Sequence, residues 1–313
     1  QTIIALMNAA GYDLATLGNH EFDYGMDGRI NVTDSWANFP YISCNFVKDG
    51  APVFAPYIIK EFDGVKVAFV GISTPKTITS SAPKYCQDEN GNFIYGFCQD
   101  ETGAALYAAV QSAIDAAKAE GATYVIGMAH LGNEAECQPW TYADVIANTT
   151  GMDALLDGHS HDTDQVEMLN KDGAKVLRQA CGTKLEGIGY LTISTKGELA
   201  TGIYMWGNDV AAPELFGIEN DAATAVKAAT DELDVKLKEV VAKTAVDLTI
   251  EDPEAVDENG KPIRIIRNAE TNLGDLCADA YRAMSGADVA IVNGGGIRKT
   301  IKAGDITLND ILL

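Results

Sequence analysis

The sequence is short of positive charge, of histidine and of long apolar runs. Its 23 lysines and arginines face 45 aspartates and glutamates, a formal net charge of −22. Nucleic-acid polymers are held by cations that neutralise phosphates, so DNA and RNA polymers are excluded as ligands. A small phosphorylated ligand is compatible only where local cations, metal ions or placed arginines, overcome that repulsive field. No apolar run reaches the ~18 residues that cross a bilayer, and the longest, such as Val67 to Ile72, are strand-sized, so no transmembrane segment is expected. The six cysteines (Cys44, Cys86, Cys98, Cys137, Cys181 and Cys277) contain no Cys-x-x-Cys pair, which removes zinc-ribbon and thioredoxin-like readings. A turn at Asp88 to Asn92 could join Cys86 to Cys98 in a disulfide; unpaired small apolar residues fit equally well. Pro-rich or Gly/Ser-rich linkers, internal repeats and long polar stretches are absent as well.

What is present is an ordinary globular composition, 47% hydrophobic and 22% charged over 313 residues, a length that points to two domains. Gln1 opens directly into a helix-like run that ends at Gly11, and Leu313 stops inside an apolar segment, so further sequence is expected on both sides. From Gly11 to about Ser194 short β-rich runs alternate with helical stretches, the pattern of an α/β layered domain. The runs are Asp13 to Leu17, Tyr57 to Phe62, Val65 to Ile72, Tyr124 to Ala129, Asp153 to Leu156 and Gly189 to Ser194. Asp63-Gly64 between two of them signals a two-residue hairpin. The alanine-rich stretch Gly103 to Glu120 reads as a crossover helix. Asp221 to Lys243 places Val226, Leu233, Leu237 and Val240 on one face, an amphipathic connector of about six turns. Thr244 to Ile250 then reads as a strand, Asp252 to Lys261 as a charged loop, Asn272 to Met284 as a helix and Ala287 to Val292 as a buried strand.

All four histidines follow a β-like apolar run. His20 lies in Gly18-Asn19-His20-Glu21, His130 follows Tyr124 to Ala129, and His159 and His161 lie in Asp157-Gly158-His159-Ser160-His161. Ligands of open α/β sheets bind beyond the carboxyl ends of the strands, so separate strands can deliver these imidazoles to one crevice. Imidazole is the commonest metal ligand and a neutral-pH acid or base. In an extended segment His-x-His sends both rings to one side. Taken singly, each histidine is more often a hydrogen-bonded structural residue; the combination in this order is what points to a metal.

Gly18-Asn19-His20-Glu21-Phe22-Asp23, Ala129-His130-Leu131-Gly132 and Gly158-His159-Ser160-His161 resemble three successive motifs of the calcineurin-like metallophosphoesterases. Glu270-Thr271-Asn272-Leu273-Gly274 and Asn293-Gly294-Gly295-Gly296-Ile297-Arg298 extend the resemblance to the C-terminal domain of 5′-nucleotidases. It implies an α/β fold, an α+β four-layer metallophosphoesterase sandwich, with a second, smaller, incomplete α/β domain joined by a helix. The implied division is 1–220 for the metallophosphoesterase domain, 221–243 for the connector and 244–313 for the substrate-binding domain. It also implies that Asn19, His130 and His159 ligate one divalent ion, zinc or manganese, and His161 its neighbour, about 3.5–4 Å away. By the same resemblance His20 faces the substrate, oriented by Asp23, while Arg267, Asn293, Gly294, Gly295 and Arg298 contact the nucleotide. Glu21 and Asp157 are expected to support their loops rather than react.

The family's Asp-x-His and Gly-Asp motifs do not occur in the residues before Gly18, so the remaining metal ligands are expected outside the chain. The same holds for the aromatic residues that stack on the base. The implied activity is hydrolysis of nucleoside 5′-monophosphates, a rotating C-terminal domain carrying the substrate to the metals. Alternatives are a 2′,3′-cyclic-nucleotide phosphodiesterase with 3′-nucleotidase activity, a UDP-sugar hydrolase, and, from another class, a non-catalytic nucleotide-binding surface module. A secreted, periplasmic or cell-surface location follows from family analogy.

Overall fold

The computed structural model describes residues 2–23, 25–26, 36–80, 83–205, 221–257 and 260–312. They form two units, Gln1–Ala225 and Val226–Leu313. The domain boundary expected after residue 220 abuts 206–220, which lie outside the described residues.

The first unit begins with helix α1 (Thr2–Ala9), which stops where Gly11 turns left-handed at φ 75°. Strands β1 (Ala15–Thr16), β2 (Tyr41–Ile42), β3 (Val47–Lys48), β4 (Ala51–Pro52), β5 (Tyr57–Phe62) and β6 (Val65–Ser73) follow, then α2 (Thr77–Ser80), β7 (Tyr95–Gly96) and α3 (Ala104–Ala119). Next come β8 (Tyr124–His130), α4 (Tyr142–Asn148), β9 (Ala154–Asp157), β10 (Thr163–Leu169), β11 (Lys175–Cys181), β12 (Gly187–Ile193) and β13 (Leu199–Met205). Six strands make the main sheet in the order β10-β11-β9-β8-β6-β5. Its four inner strands are parallel and its two edges antiparallel.

The period of two in β6 sets the layers. Ala68, Val70 and Ile72 face one side, where the apolar stripe of α3 (Leu106, Val110, Ala113, Ile114) and Val145 and Ile146 of α4 complete a core. Val67 and Phe69 face the other, meeting Leu191, Ile193 and Leu199 of the β12–β13 hairpin. On that side Gly71 lets β2 lie directly on β6, since a Cβ there would stand 2.2 Å from the Ile42 carbonyl oxygen. A third core is aromatic: Phe22 packs edge-on to Phe46 and Phe97 with centroids 5.3 and 5.2 Å away. Each of these rings is fully buried, an environment that stabilises by roughly 1.5–3 kcal/mol per side chain. Asp63 and Gly64 both take positive φ (49° and 84°) and close β5 onto β6 in a mirror-image turn that matches the strand twist, as the dipeptide predicted.

In the second unit α5 (Asp221–Leu237), which starts in the first, leads to β14 (Val240–Thr244), β15 (Glu251–Val256), β16 (Pro262–Arg264), α6 (Asn272–Ser285), β17 (Gly304–Thr307) and α7 (Leu308–Leu312). Leu248, Ile250, Ile266, Leu273, Ile301 and Ile306 form its core. Thr271 caps α6 by accepting from the Gly274 amide, and Gly286 ends it at φ 69°.

Several expectations are corrected here. The helix predicted to Lys243 ends at Leu237, because the β-branched Val240 and Val241 continue as β14, paired antiparallel with β17. That pairing also places the strand before, not within, most of Thr244 to Ile250. The charged loop at Asp252 to Lys261 begins as β15, which pairs with β16. Ala287 to Val292 is neither strand nor buried: Val289 and Ile291 are 74% and 94% exposed, with no neighbouring strand among the described residues to bond their backbone. No disulfide joins Cys86 to Cys98, the bond that the turn at Asp88 to Asn92 left open. No helix of the described residues is long and apolar enough to cross a membrane.

Candidate functional site

The carboxyl ends of β8 and β9 carry the first unit's candidate residues. His130 is the last residue of β8, in register with Ser73 at the end of β6, and Asp157 is the last of β9, just before Gly158-His159. Asn19 opens a 3₁₀ turn, Asn19–Phe22, fixed at one end by the Gly18 amide donating to Glu21 Oε2 (2.6 Å) and at the other by the buried Phe22 ring. Two glycines make room for the imidazole of His130. A Cβ on Gly18 would lie 3.0 Å from its Cε1 and Nε2, and one on Gly158 would lie 3.2 Å from its Nδ1.

Three side-chain atoms then meet. His130 Nε2 is 3.0 Å and His159 Nδ1 3.2 Å from Asn19 Oδ1, and the two nitrogens are 3.3 Å apart. Donors arranged tetrahedrally at zinc-like ligand distances stand about 3.4 Å from one another, so this triangle has the size a divalent cation requires. The donor chemistry agrees. A neutral amide oxygen and two imidazole nitrogens suit a divalent cation, and burial keeps the imidazoles neutral, as ligands must be. His130 is held down to about 3 by burial first, then by the neighbouring His159, His20 and His161. His159 is lowered by burial too, against the pull of Glu134 and Asp157. These mutual influences place all four histidines in one neighbourhood.

The His159-Ser160-His161 segment is not extended, contrary to expectation. His159 and His161 both adopt left-handed backbone, φ 84° and 58°, a conformation costing roughly 1–3 kcal/mol per non-glycine residue. The loop coils, and surrounding contacts hold it so. Gly132, itself at φ 71°, lies where a Cβ would clash with Ser160 Oγ at 2.2 Å, and Ser160 Oγ accepts from the Asn133 amide at 2.7 Å. Asp157 is buried and accepts from the amides of Leu131 (2.9 Å) and Gly132 (3.2 Å). Burial pushes its carboxyl upward while hydrogen bonds from Arg178 and Leu131 pull it back.

His20 is the exposed member, its side chain 77% open, with Nδ1 2.8 Å from Asp23 Oδ2. A carboxylate only accepts, so the pairing puts a proton on Nδ1 and leaves Nε2 to meet a ligand. Glu21, next along the turn, has its carboxyl raised by burial.

In the second unit the guanidinium of Arg267 lies against Gly295, whose Cβ would stand 2.8 Å from Nη2, and Asn293 Oδ1 accepts from the Gly295 amide at 2.9 Å. Gly294 is pressed on the Ile266 carbonyl, leaving 2.2 Å for a Cβ. Arg267, Asn293, Gly294 and Gly295 therefore come together. Arg298 and Asn293 line a cavity of about 770 Å³ with Gly296, Lys299 and Asp310.

Sequence reasoning missed Arg178, Glu134 and Cys137. Among the described residues, ligand atoms of Glu134, Cys137 and His159 all lie within 4.8 Å of one another. Arg178, fully buried in β11, binds Asp157 and Asp162. The polar pair Arg178-Gln179 between the apolar Leu177 and Ala180 of a strand was the available signal.

Comparison with known proteins follows the same division. Residues 240–313 match the family model described as 5′-nucleotidase, C-terminal domain, and residues 1–176 match that of bacterial capsule synthesis protein PGA_cap. The trifunctional nucleotide phosphoesterase protein YfkN of Bacillus subtilis is 28% identical over 99% of this chain and 22% of its own length. A 5′-nucleotidase of Vibrio parahaemolyticus is 26% identical over 98% of the chain and 57% of its own length. The crystal structure of a 5′-nucleotidase precursor from Thermus thermophilus superposes with a TM-score of 0.66 at 26% identity, covering 99% of this chain and 59% of that one. The chain thus spans at most about three-fifths of the length of these relatives.

Proposed function

Because the chain belongs to the 5′-nucleotidase family, its first unit carrying the match to bacterial capsule synthesis protein PGA_cap, we propose that it is a metal-dependent phosphomonoester hydrolase that releases phosphate from nucleoside 5′-monophosphates. The observation that carries this reading is the triangle of Asn19 Oδ1, His130 Nε2 and His159 Nδ1, all within 3.3 Å of one another at the ends of two parallel strands and a glycine-opened turn.

In this reading Asn19, His130 and His159 hold one divalent ion, and His161 reaches its neighbour. When bound, the pair supplies Lewis acidity toward the phosphoryl oxygens and neutralises the charge that grows there. It also answers the −22 net charge of the chain, which otherwise repels a phosphate. His20, tethered by Asp23 with Nε2 facing solvent, hydrogen-bonds the phosphoryl group or the leaving oxygen. Arg298 grips phosphate with its planar fork, and Arg267 with Asn293 and the flat backbone of Gly294 and Gly295 receives the rest of the nucleotide. Residues 244–313 act as the nucleotide-binding domain in this scheme, and secretion to the periplasm or cell surface accords with the family.

The test is release of inorganic phosphate from AMP, cyclic 2′,3′-AMP and UDP-glucose, each with Mn²⁺ or Zn²⁺ and with EDTA. Metal-dependent release from AMP, exceeding that from the other two, supports the proposal. A preference for the cyclic nucleotide or the nucleotide sugar replaces the substrate assignment, and nucleotide binding with no turnover of any of the three replaces the enzyme by a binding module.

A further inference from the structure

We propose that Arg178 is the positioning residue of the candidate metal centre, one guanidinium that grips the histidine loop at both of its ends. The inference rests on the reading of His159 and His161 as metal ligands.

Arg178 lies in the middle of β11 with its side chain fully buried. Nη2 donates to Asp157 Oδ2 at 2.8 Å and Nη1 to Asp162 Oδ2 at 2.7 Å, with Asp164 Oδ2 at 3.5 Å beyond. The two near carboxylates bracket the loop: Asp157 immediately precedes Gly158-His159, and Asp162 immediately follows His161. Asp157 also accepts from the Leu131 and Gly132 amides, so the same cluster fixes the backbone next to His130. One cation therefore ties together the chain that follows β8 and both ends of the segment between β9 and β10. The ring of Tyr142 covers its flat face, 4.0 Å from Cζ.

Two arguments assign geometry, rather than stability, as what this cluster supplies. First, a buried ion cluster is weak as a stabiliser, because the desolvation of its members offsets their attraction and an apolar replacement is often as stable. Second, the bracketed loop holds two histidines in left-handed backbone, a conformation that persists only where its ends are fixed. Arginine suits the task because its rigid fork spans two carboxylates, which the single ammonium of a lysine cannot reproduce.

The variants are Asp162→Asn and Arg178→Lys in the 313-residue chain. Three readouts apply: thermal unfolding, Mn²⁺ affinity by calorimetric titration, and the ¹H–¹⁵N imidazole signals of the metal-free protein. We expect Asp162→Asn to unfold within a few degrees of the parent, to bind Mn²⁺ about 10–100-fold more weakly, and to move the His159 and His161 signals while that of His20 stays. Arg178→Lys, where folded, weakens Mn²⁺ binding at least as much. Should it fail to fold, Asp162→Asn decides alone, since Asp162 sits at the partly exposed edge of the cluster. Folded Asp162→Asn with parental Mn²⁺ affinity and unmoved imidazole signals overturns the proposal. If the parent itself takes up no Mn²⁺, the ligands within these 313 residues do not suffice to hold the ion, and the metal-free signals still decide the clamp: shifted His159 and His161 uphold it, and unshifted ones overturn it.

Discussion

Acid should destabilise this protein through His130, and the size of the effect follows from the site. An imidazole in the unfolded chain takes up a proton near its ordinary value of 6.5, whereas burial and three neighbouring histidines delay protonation of His130 in the fold to about 3. Between those values the unfolded state binds the extra proton, so stability is fully present above 6.5 and is lost as pH falls toward 3. At about 1.4 kcal/mol per pH unit the whole window amounts to at most about 5 kcal/mol, and roughly 2–3 kcal/mol once solvent access at the mouth of the site is allowed for. The assay is urea denaturation in EDTA from pH 8 to pH 4.5, comparing the parent with His130→Gln, which cannot titrate. The parent's unfolding free energy, relative to the variant's, should be level above pH 7 and fall by roughly 1–2 kcal/mol by pH 5. A difference that stays flat across the range refutes the argument that His130 is held neutral by burial among like-charged neighbours.

Other perturbations separate the roles of single residues. His20→Ala should leave metal content unchanged and lower turnover about 10²–10⁴-fold; loss of metal on elemental analysis would make His20 a ligand instead. Arg298→Lys should raise KM for AMP roughly 10-fold or more with kcat less affected, as expected for loss of a forked phosphate contact, and an unchanged KM would remove Arg298 from the nucleotide site. Gly71→Ala places a Cβ 2.2 Å from the Ile42 carbonyl and should cost about 1–3 kcal/mol, read as a lower Tm; an unaltered Tm would show that β2 does not rest on β6.

Much of the first unit was legible because its signals are local. Tyr57–Phe62 and Tyr124–His130 stand out as β-branched and aromatic runs, Asp63-Gly64 fixes one hairpin, and α3 announces itself by alanine content and Gly121. The candidate site was legible for the same reason: each histidine lies just past the end of an apolar run. What was not legible depends on partners distant in sequence. Val240–Thr244 looks like the end of an amphipathic helix until β17, some sixty residues later, supplies its hydrogen bonds. Ala287–Val292 has the composition of a strand but no edge to join among the described residues. The loop of His159 and His161 was read as extended because nothing in the local sequence marks a histidine for left-handed backbone; Arg178, from a strand that the pattern did not reveal, holds both of its ends.

Convergence of histidines from separate strands on one metal centre is open to a single spectroscopic experiment. With the imidazoles of the 313-residue chain labelled with ¹⁵N, substoichiometric Mn²⁺ should broaden the His130, His159 and His161 signals first and together, and Asn19→Ala should shift that broadening to higher metal concentration. Signals of all three that stay sharp at full metal loading, or loss of one histidine signal while the other two persist, would contradict a shared centre and with it the phosphoesterase assignment.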